Sequence, residues 1–330
     1  MIRVAKADGD SVIAVIGPDA EENHAFLSYS DTFRRLGLPV PEVYAADEEA
    51  GVYLLEDLGD TTLFDLLTEA RRGNDGALTD EVKDVYRRVL TWLPRFQVEG
   101  GASVDWSVAY PRAEFDAQAM QWDLNYFKYH FLMLAHIPFH EDRLERDFDR
   151  LVEYLLETDT DHFVYRDLQS RNIMVQDGEP SFLDYQGGRR GALQYDVASL
   201  LHDAKAGLGD ELRAHLLDAY LQALETHLPV DRADFEAHYR GYVLLRTLQS
   251  LGTYGYRGFY ERKPRFLKSV APRVTDLQDF RDGGFVDVHL PALRAALERV
   301  CAPERLRPPV PPHDGALAVH VGSFSDKTGY

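Results

Sequence analysis

Residues Phe163–Val175 read FVYRDLQSRNIMV. An apolar, β-prone run leads into the pair Arg166-Asp167, four spacer residues bring the chain to Asn172, and a second apolar run follows. Aromatic and β-branched residues on both sides fit short strands, so Arg166–Asn172 is expected to be a loop pinned at both ends. The sequence continues QDGEPSFLDYQGGRRG over 176–191. DGEP reads as a turn, Ser181–Tyr185 as a third strand and Gln186–Gly191 as a glycine-rich exit. A hairpin of Ile173–Gln176 with Ser181–Tyr185 would bring Asp167, Asn172 and Asp184 to neighbouring strand ends.

Those three side chains suit phosphoryl transfer of the kinase type. One Asp accepts the proton of an attacking hydroxyl. An Asn five residues on offers an amide oxygen to Mg²⁺, and an Asp after the next strand offers a carboxylate. Hard oxygen donors match Mg²⁺. Asp-x4-Asn alone is a weak signal, and a plain surface loop with a hairpin turn is the competing reading. The succession of Asp-x4-Asn, hairpin and Asp before Gly-Gly is more specific.

Working outward, residues 2–16 read as two strands around Asp-Gly-Asp, and Asp19 caps a helix that Gly37 ends. PVPEVYAADEEAGVYLLEDL (39–58) gives two more strands around an acidic turn. From Thr61 on, helical periodicity dominates, with helices expected over about 61–71, 79–99, 112–135, 141–157, 210–226, 232–252 and 288–301. The fold class is therefore α+β: a small N-terminal sheet, five-stranded in type with one helix, then a larger helical part holding the β island. Residues 305–315 are Pro-rich and read as a linker, and 316–330 alternate like one further strand.

Composition narrows the function. The 330 residues carry a net charge of −19, with 45% hydrophobic and 28% charged residues. A surface so acidic speaks against nucleic acid and anionic membrane as partners, and an anionic substrate would need a local cation or a metal. No apolar stretch approaches membrane-spanning length, and the first ten residues have no secretory pattern. The single cysteine, Cys301, permits no internal disulfide; a cytoplasmic setting is expected. The histidines are scattered without zinc spacing, and no G-x-S-x-G occurs.

The stretch resembles the aminoglycoside phosphotransferase and choline kinase superfamily, whose loop reads roughly H-G-D-x-x-x-x-N and whose metal strand ends in Asp plus an aromatic. LPVPEVYAAD, VYLLEDLGDTTLFDLL and YDVASLLHDA are similar to its strand before the hinge, its hinge and its segment after the metal Asp. Within it, YRD, the Gln186 after Asp184-Tyr185, and LRTLQSLGTYGYR resemble bacterial kinases that phosphorylate the anomeric hydroxyl of N-acetylmuramate and N-acetylglucosamine. The resemblance implies a bilobal kinase-like fold, ATP and Mg²⁺ as cofactors, and a small-molecule hydroxyl acceptor, an amino sugar first. An aminoglycoside, choline or homoserine type of acceptor, or a nucleotide-responsive pseudokinase module, are the alternatives.

By the same resemblance Asp167 is the base with Arg166 steadying the loop, and Asn172 and Asp184 hold Mg²⁺. The backbone of Leu55, Glu56, Asp57 and Leu58 meets adenine. Asp196 braces the loop, caps the following helix as its N-cap, or does both. Substrate candidates are Asp123, Tyr126, Gln186, Arg189 and Arg246, against ordinary helix packing or solvated charge. Residues 1–58 would be an N-lobe truncated at its start, because Met1–Asp10 resembles the family's second strand, after its phosphate loop. The lysine expected near Ala14 is replaced by SVIAV. Residues 59–304 would be the C-lobe. The segment 316–330 resembles the opening strand of a further domain, related to the C-terminal domain of nucleotide-binding adaptor proteins that bind small RNA.

Overall fold

The computed structural model describes residues 1–5, 11–271, 273–274, 277 and 286–302. The turn at Asp8–Asp10, the Pro-rich segment 305–315 and the strand expected in 316–330 lie outside them. Two compact units are present, Met1–Ala119 with Leu156–Val243, and Met120–Leu155 with the part from Leu244 on.

The first unit opens with β1 (Ile2–Ala5), β2 (Ser11–Ile16), α1 (Ala20–Arg35), β3 (Val43–Asp47) and β4 (Val52–Glu56). These strands make one antiparallel sheet of four, in the order β1-β2-β4-β3, one fewer than the five-stranded expectation. Asp19 caps α1 by accepting from the Glu21 and Glu22 amides at 3.1 Å, which meets two of the donors a helix start leaves unpaired. Gly37, at φ +68°, reverses the chain beyond it. The buried face of α1 presents Phe26, Tyr29 and Phe33 at helical spacing. Phe26 stacks between Tyr53 of β4 and Tyr185, both 5.2 Å away. Phe33 meets Phe96, Phe163 and Tyr185 edge-on. An aromatic core thus fastens the sheet and its helix to the β island.

The helical part of this unit begins with α2 (Leu63–Gly73), started by a capping box of Thr62 and Asp65, and α3 (Asp80–Pro94), which runs on as a π-helical turn to Gly100. In the island, β5 (His162–Val164) ends before Tyr165. The β6 (Ile173–Gln176) and β7 (Glu179–Phe182) hairpin turns on two residues, Asp177 and Gly178, at φ +52° and +79°. That pair suits a tight primed turn, so DGEP is half turn and half strand, and Asp184 lies beyond the strand. The glycine-rich exit contains β8 (Arg189–Gly191), paired antiparallel to β5. Helices α4 (Ala117–Phe127), α5 (Glu141–Leu155), α6 (Gln194–Leu201), α7 (Asp210–Leu224), α8 (Arg232–Gly255) and α9 (Pro291–Val300) complete the described helices used below. The helix expected from residue 112 starts only at Ala117, and α6, read from the sequence only as the helix that Asp196 could cap, begins at Gln194. Among the described residues no helix is long and apolar enough to cross a membrane.

In the second unit, Lys128 is fully buried and gives its ammonium to Glu141 at 2.6 Å and Glu145 at 2.9 Å, the pairing a buried cation requires. Asp147 accepts from the Ala292 and Leu293 amides at 2.6 and 2.9 Å and so caps α9. The end of α8 lies against residues 126–131: a Cβ on Gly252 would sit 2.7 Å from the Tyr126 ring and 2.9 Å from the Phe127 nitrogen, and one on Gly255 would drive into the His130 carbonyl. Backbone atoms cannot swing aside as a side-chain tip can. Gly255→Ala is therefore expected to cost about 3 kcal/mol, read as a lowered denaturation midpoint. Gly73→Ala, with nothing within 4 Å of the added atom, should leave the midpoint in place.

Candidate active site

The loop Tyr165–Asn172 is held from beneath by a carboxylate. Asp196, wholly buried in the first turn of α6, accepts from the Tyr165 amide at 2.7 Å and the Arg166 amide at 3.0 Å. Because β5 stops at Val164, these two amides are left for it. Asp196 lies within α6 rather than at its N-cap, which is Leu193, so the capping alternative is excluded. Burial pushes its carboxyl up to about 7, against the pull of the two amides and of Arg166.

Arg166 takes φ +74°, a left-handed conformation that side-chain-bearing residues rarely hold unless fixed from outside. Its guanidinium lies over the rings of Phe115 and Tyr195, 4.3 and 5.0 Å from their centroids, and donates to the Tyr195 hydroxyl at 2.8 Å. The far end of the loop is tied by Ser170, whose hydroxyl donates to Asp203 at 2.8 Å. Sequence reasoning missed Asp203, which lies seven residues after Asp196 and just past the end of α6.

Asp167 is exposed on this loop, and Gln169 donates to its carboxylate at 3.2 Å. The Asn172 side-chain amide donates to the Asp167 carbonyl at 2.8 Å and to the Asp184 carboxylate at 2.7 Å. Asp184 is another left-handed residue, at φ +70°. Tyr165 donates its hydroxyl to the Leu183 carbonyl, and the Leu183 amide donates to the Asn172 carbonyl at 2.9 Å. Gln186 donates to the other Asp184 oxygen at 3.0 Å and to Glu22 of α1 at 3.1 Å. Glu22 in the first turn of α1 thus reaches this cluster. Burial, and secondarily the Asp167 charge, raise the Asp184 carboxyl.

Asn172, Asp184 and Gln186 form one wall of a cleft of about 430 Å³. Ile13, Val15, Tyr53 and Leu55 of the sheet supply an apolar wall, and Glu56–Gly59 close one side. In that stretch the Glu56 amide already donates to Glu42 at 2.8 Å. Asp57 is held by Arg3 at 2.6 Å and by Ser11, and Arg3 keeps its carboxyl down at about 2. Hard oxygens on Asn172 and Asp184, with a desolvated carboxylate that a nearby cation would relieve, are a donor set that fits a divalent metal completed by phosphate and water.

Arg189 is buried on β8 and donates to the Gly187 carbonyl at 3.1 Å. Asp123, Tyr126 and Arg246 belong to the second unit. There Tyr126 packs edge-on to His130 at 4.4 Å, and Arg246 is buried and donates to Gln249.

Asp196→Ala would strand two buried amides, at a cost of about 3 kcal/mol. Asp196→Asn keeps an acceptor and removes the titration. With the folded carboxyl raised, this group's stabilisation is complete in acid and fades as pH rises through about 7. Denaturant titrations should show Asp196→Asn losing less stability than the parent across that window. Parallel pH profiles would contradict this.

Comparison with known proteins gives the family. Residues 3–233 match the phosphotransferase enzyme family. The N-acetylmuramate/N-acetylglucosamine kinase of Neisseria meningitidis serogroup B is 27% identical over 296 residues, covering 83% of this chain and 83% of that protein. The enzyme of the same name from Caulobacter vibrioides is 29% identical over 299 residues, covering 86% and 76%. Among solved structures, the amicoumacin kinase hAmiN in complex with AMP-PNP, Ca²⁺ and Ami superposes with a TM-score of 0.56 at 13% identity, covering 88% of each chain. At that identity the likeness speaks for the fold. The family match spans well over half of the chain, and the chain belongs to the phosphotransferase enzyme family.

Proposed function

We propose that this phosphotransferase moves the γ-phosphoryl group of ATP, with Mg²⁺, to a hydroxyl of a small molecule, and that the acceptor is an amino sugar taken at its anomeric position. The observation that carries the reading is the bridge made by Asn172: one side-chain amide touches both the Asp167 backbone and the Asp184 carboxylate. In this reading Asp167 faces the acceptor and takes its proton as the hydroxyl oxygen bonds to phosphorus. The bond from phosphorus to the β–γ bridging oxygen breaks, and ADP leaves. Asn172 and Asp184 would hold Mg²⁺, which supplies charge neutralisation on the phosphates. Leu55–Leu58 would border adenine, beside the apolar wall of the sheet.

Arg166 is better placed as a positioning residue than as a reacting one, since its side chain turns to Phe115 and Tyr195. The AMP-PNP in the similar kinase structure supports ATP as donor, and the names of the Neisseria and Caulobacter relatives support the amino sugar.

The test is acceptor-dependent ADP release with N-acetylglucosamine, N-acetylmuramate and a panel of aminoglycosides, choline and homoserine. An anomeric phosphate should be seen by phosphorus NMR with the amino sugars. Asp167→Asn should lower turnover on the order of 10³-fold while leaving nucleotide binding in place. ADP release with choline or an aminoglycoside alone would overturn the acceptor assignment. Equal behaviour of Asp167→Asn and the parent would favour a nucleotide-binding module without catalysis, a reading that draws on the absence of a lysine from β2.

A further inference from the structure

Positive charge is scarce where the proposed nucleotide would sit. The chain as a whole carries −19, and the cleft holds Asp57, Asp184 and Glu56. A bound polyphosphate adds several more negative charges, which one divalent ion does not cancel. β2, reading SVIAVI, brings no basic residue to the cleft.

Among the described residues lining the cleft, the basic side chains are Arg3 and Arg171. Arg3 is engaged: it pairs with Asp57 at 2.6 Å and Asp60 at 2.7 Å, and donates to the Gly59 carbonyl at 3.1 Å. Arg171 is different. It is exposed, and its guanidinium has no ion-pair or hydrogen-bond partner among the described residues. It sits in the 3-10 turn Ser170–Asn172, one residue from Asn172. The turn itself is fixed by the Ser170 bond to Asp203 and by the Asn172 amide, which donates to the Gln169 carbonyl at 2.9 Å. A rigid base therefore carries an unspent cation into the cleft, close enough for its charge to act on Asp184.

We propose that Arg171 is the phosphate-binding cation of this cleft, its planar fork taking two oxygens of the nucleotide's phosphate chain. A guanidinium suits that task, because its parallel N–H groups match the spacing of phosphate oxygens and its charge never titrates away. It supplies from the catalytic loop the positive charge that β2 lacks. The assignment rests on the cleft being a nucleotide site.

The test is calorimetric titration of adenosine, ADP and ATP, with Mg²⁺ present, into the parent chain and into Arg171→Ala, Arg171→Gln and Arg171→Lys. The two neutral variants should weaken ADP and ATP binding by about 10- to 100-fold and leave adenosine unchanged. Lysine should recover part of the loss, as a point charge without the fork. Thermal unfolding without nucleotide should match the parent in all three, since the exposed side chain makes no hydrogen bond or ion pair among the described residues. Unchanged ADP binding in both neutral variants would overturn the assignment while the nucleotide reading stands. So would equal losses for adenosine and ADP, which would mark a shape contact rather than a phosphate contact. A parent chain that binds none of the three overturns the nucleotide reading and the Arg171 assignment with it.

Discussion

The geometry of the Tyr165–Asn172 loop depends on one buried carboxylate. Asp196 holds the amides of Tyr165 and Arg166, and through them the direction in which the chain leaves β5. That anchor holds the Arg166 backbone in its left-handed conformation, while Phe115 and Tyr195 hold its side chain. The turn at Arg166 is what sends Asp167 outward while Leu168 returns to the core, fully buried. A second carboxylate, Asp203, fixes the loop's other end through Ser170. Two acids below the loop thus set the position of two polar groups above it, Asp167 and Asn172.

The same logic continues to Asp184. Its two oxygens each accept from a side-chain amide, Asn172 on one side and Gln186 on the other. Gln186 also reaches Glu22, so the first turn of α1 is linked to the cluster by hydrogen bonding as well as by the packing of Phe26 and Phe33 on Tyr185. Fixed amides and fixed carboxylates of this kind are what a phosphoryl-transfer site needs, since most of its work is positioning and charge neutralisation.

Much of this was legible in the sequence because the signals are local. Asp19, Gly37, the alternation around the acidic turn of β3 and β4, and the periodic helices all act within a few residues of themselves. The Asp-x4-Asn loop and the hairpin after it are local too. What escaped depends on distant partners. β8 is three residues of Arg-Arg-Gly that become a strand only because β5 lies beside them. α6 is buried on every side, so it shows no amphipathic period to read, and a capping Asp was its one signal. The turn of Arg166 toward Phe115 and Tyr195, and the meeting of Glu22 with Gln186, join segments far apart in the chain. Arg171 was passed over for a related reason: its distinction is that among the described residues its guanidinium has no hydrogen-bond or ion-pair partner, which only the folded cleft displays.

Asn172 and Asp184 are proposed here as a metal-dependent nucleotide site. Its most direct measurement is the affinity for ADP with Mg²⁺ and with a chelator, in the parent chain and in Asp184→Asn. The account predicts that Mg²⁺ tightens ADP binding in the parent and has little effect in the variant. An equal Mg²⁺ effect in both proteins would contradict it.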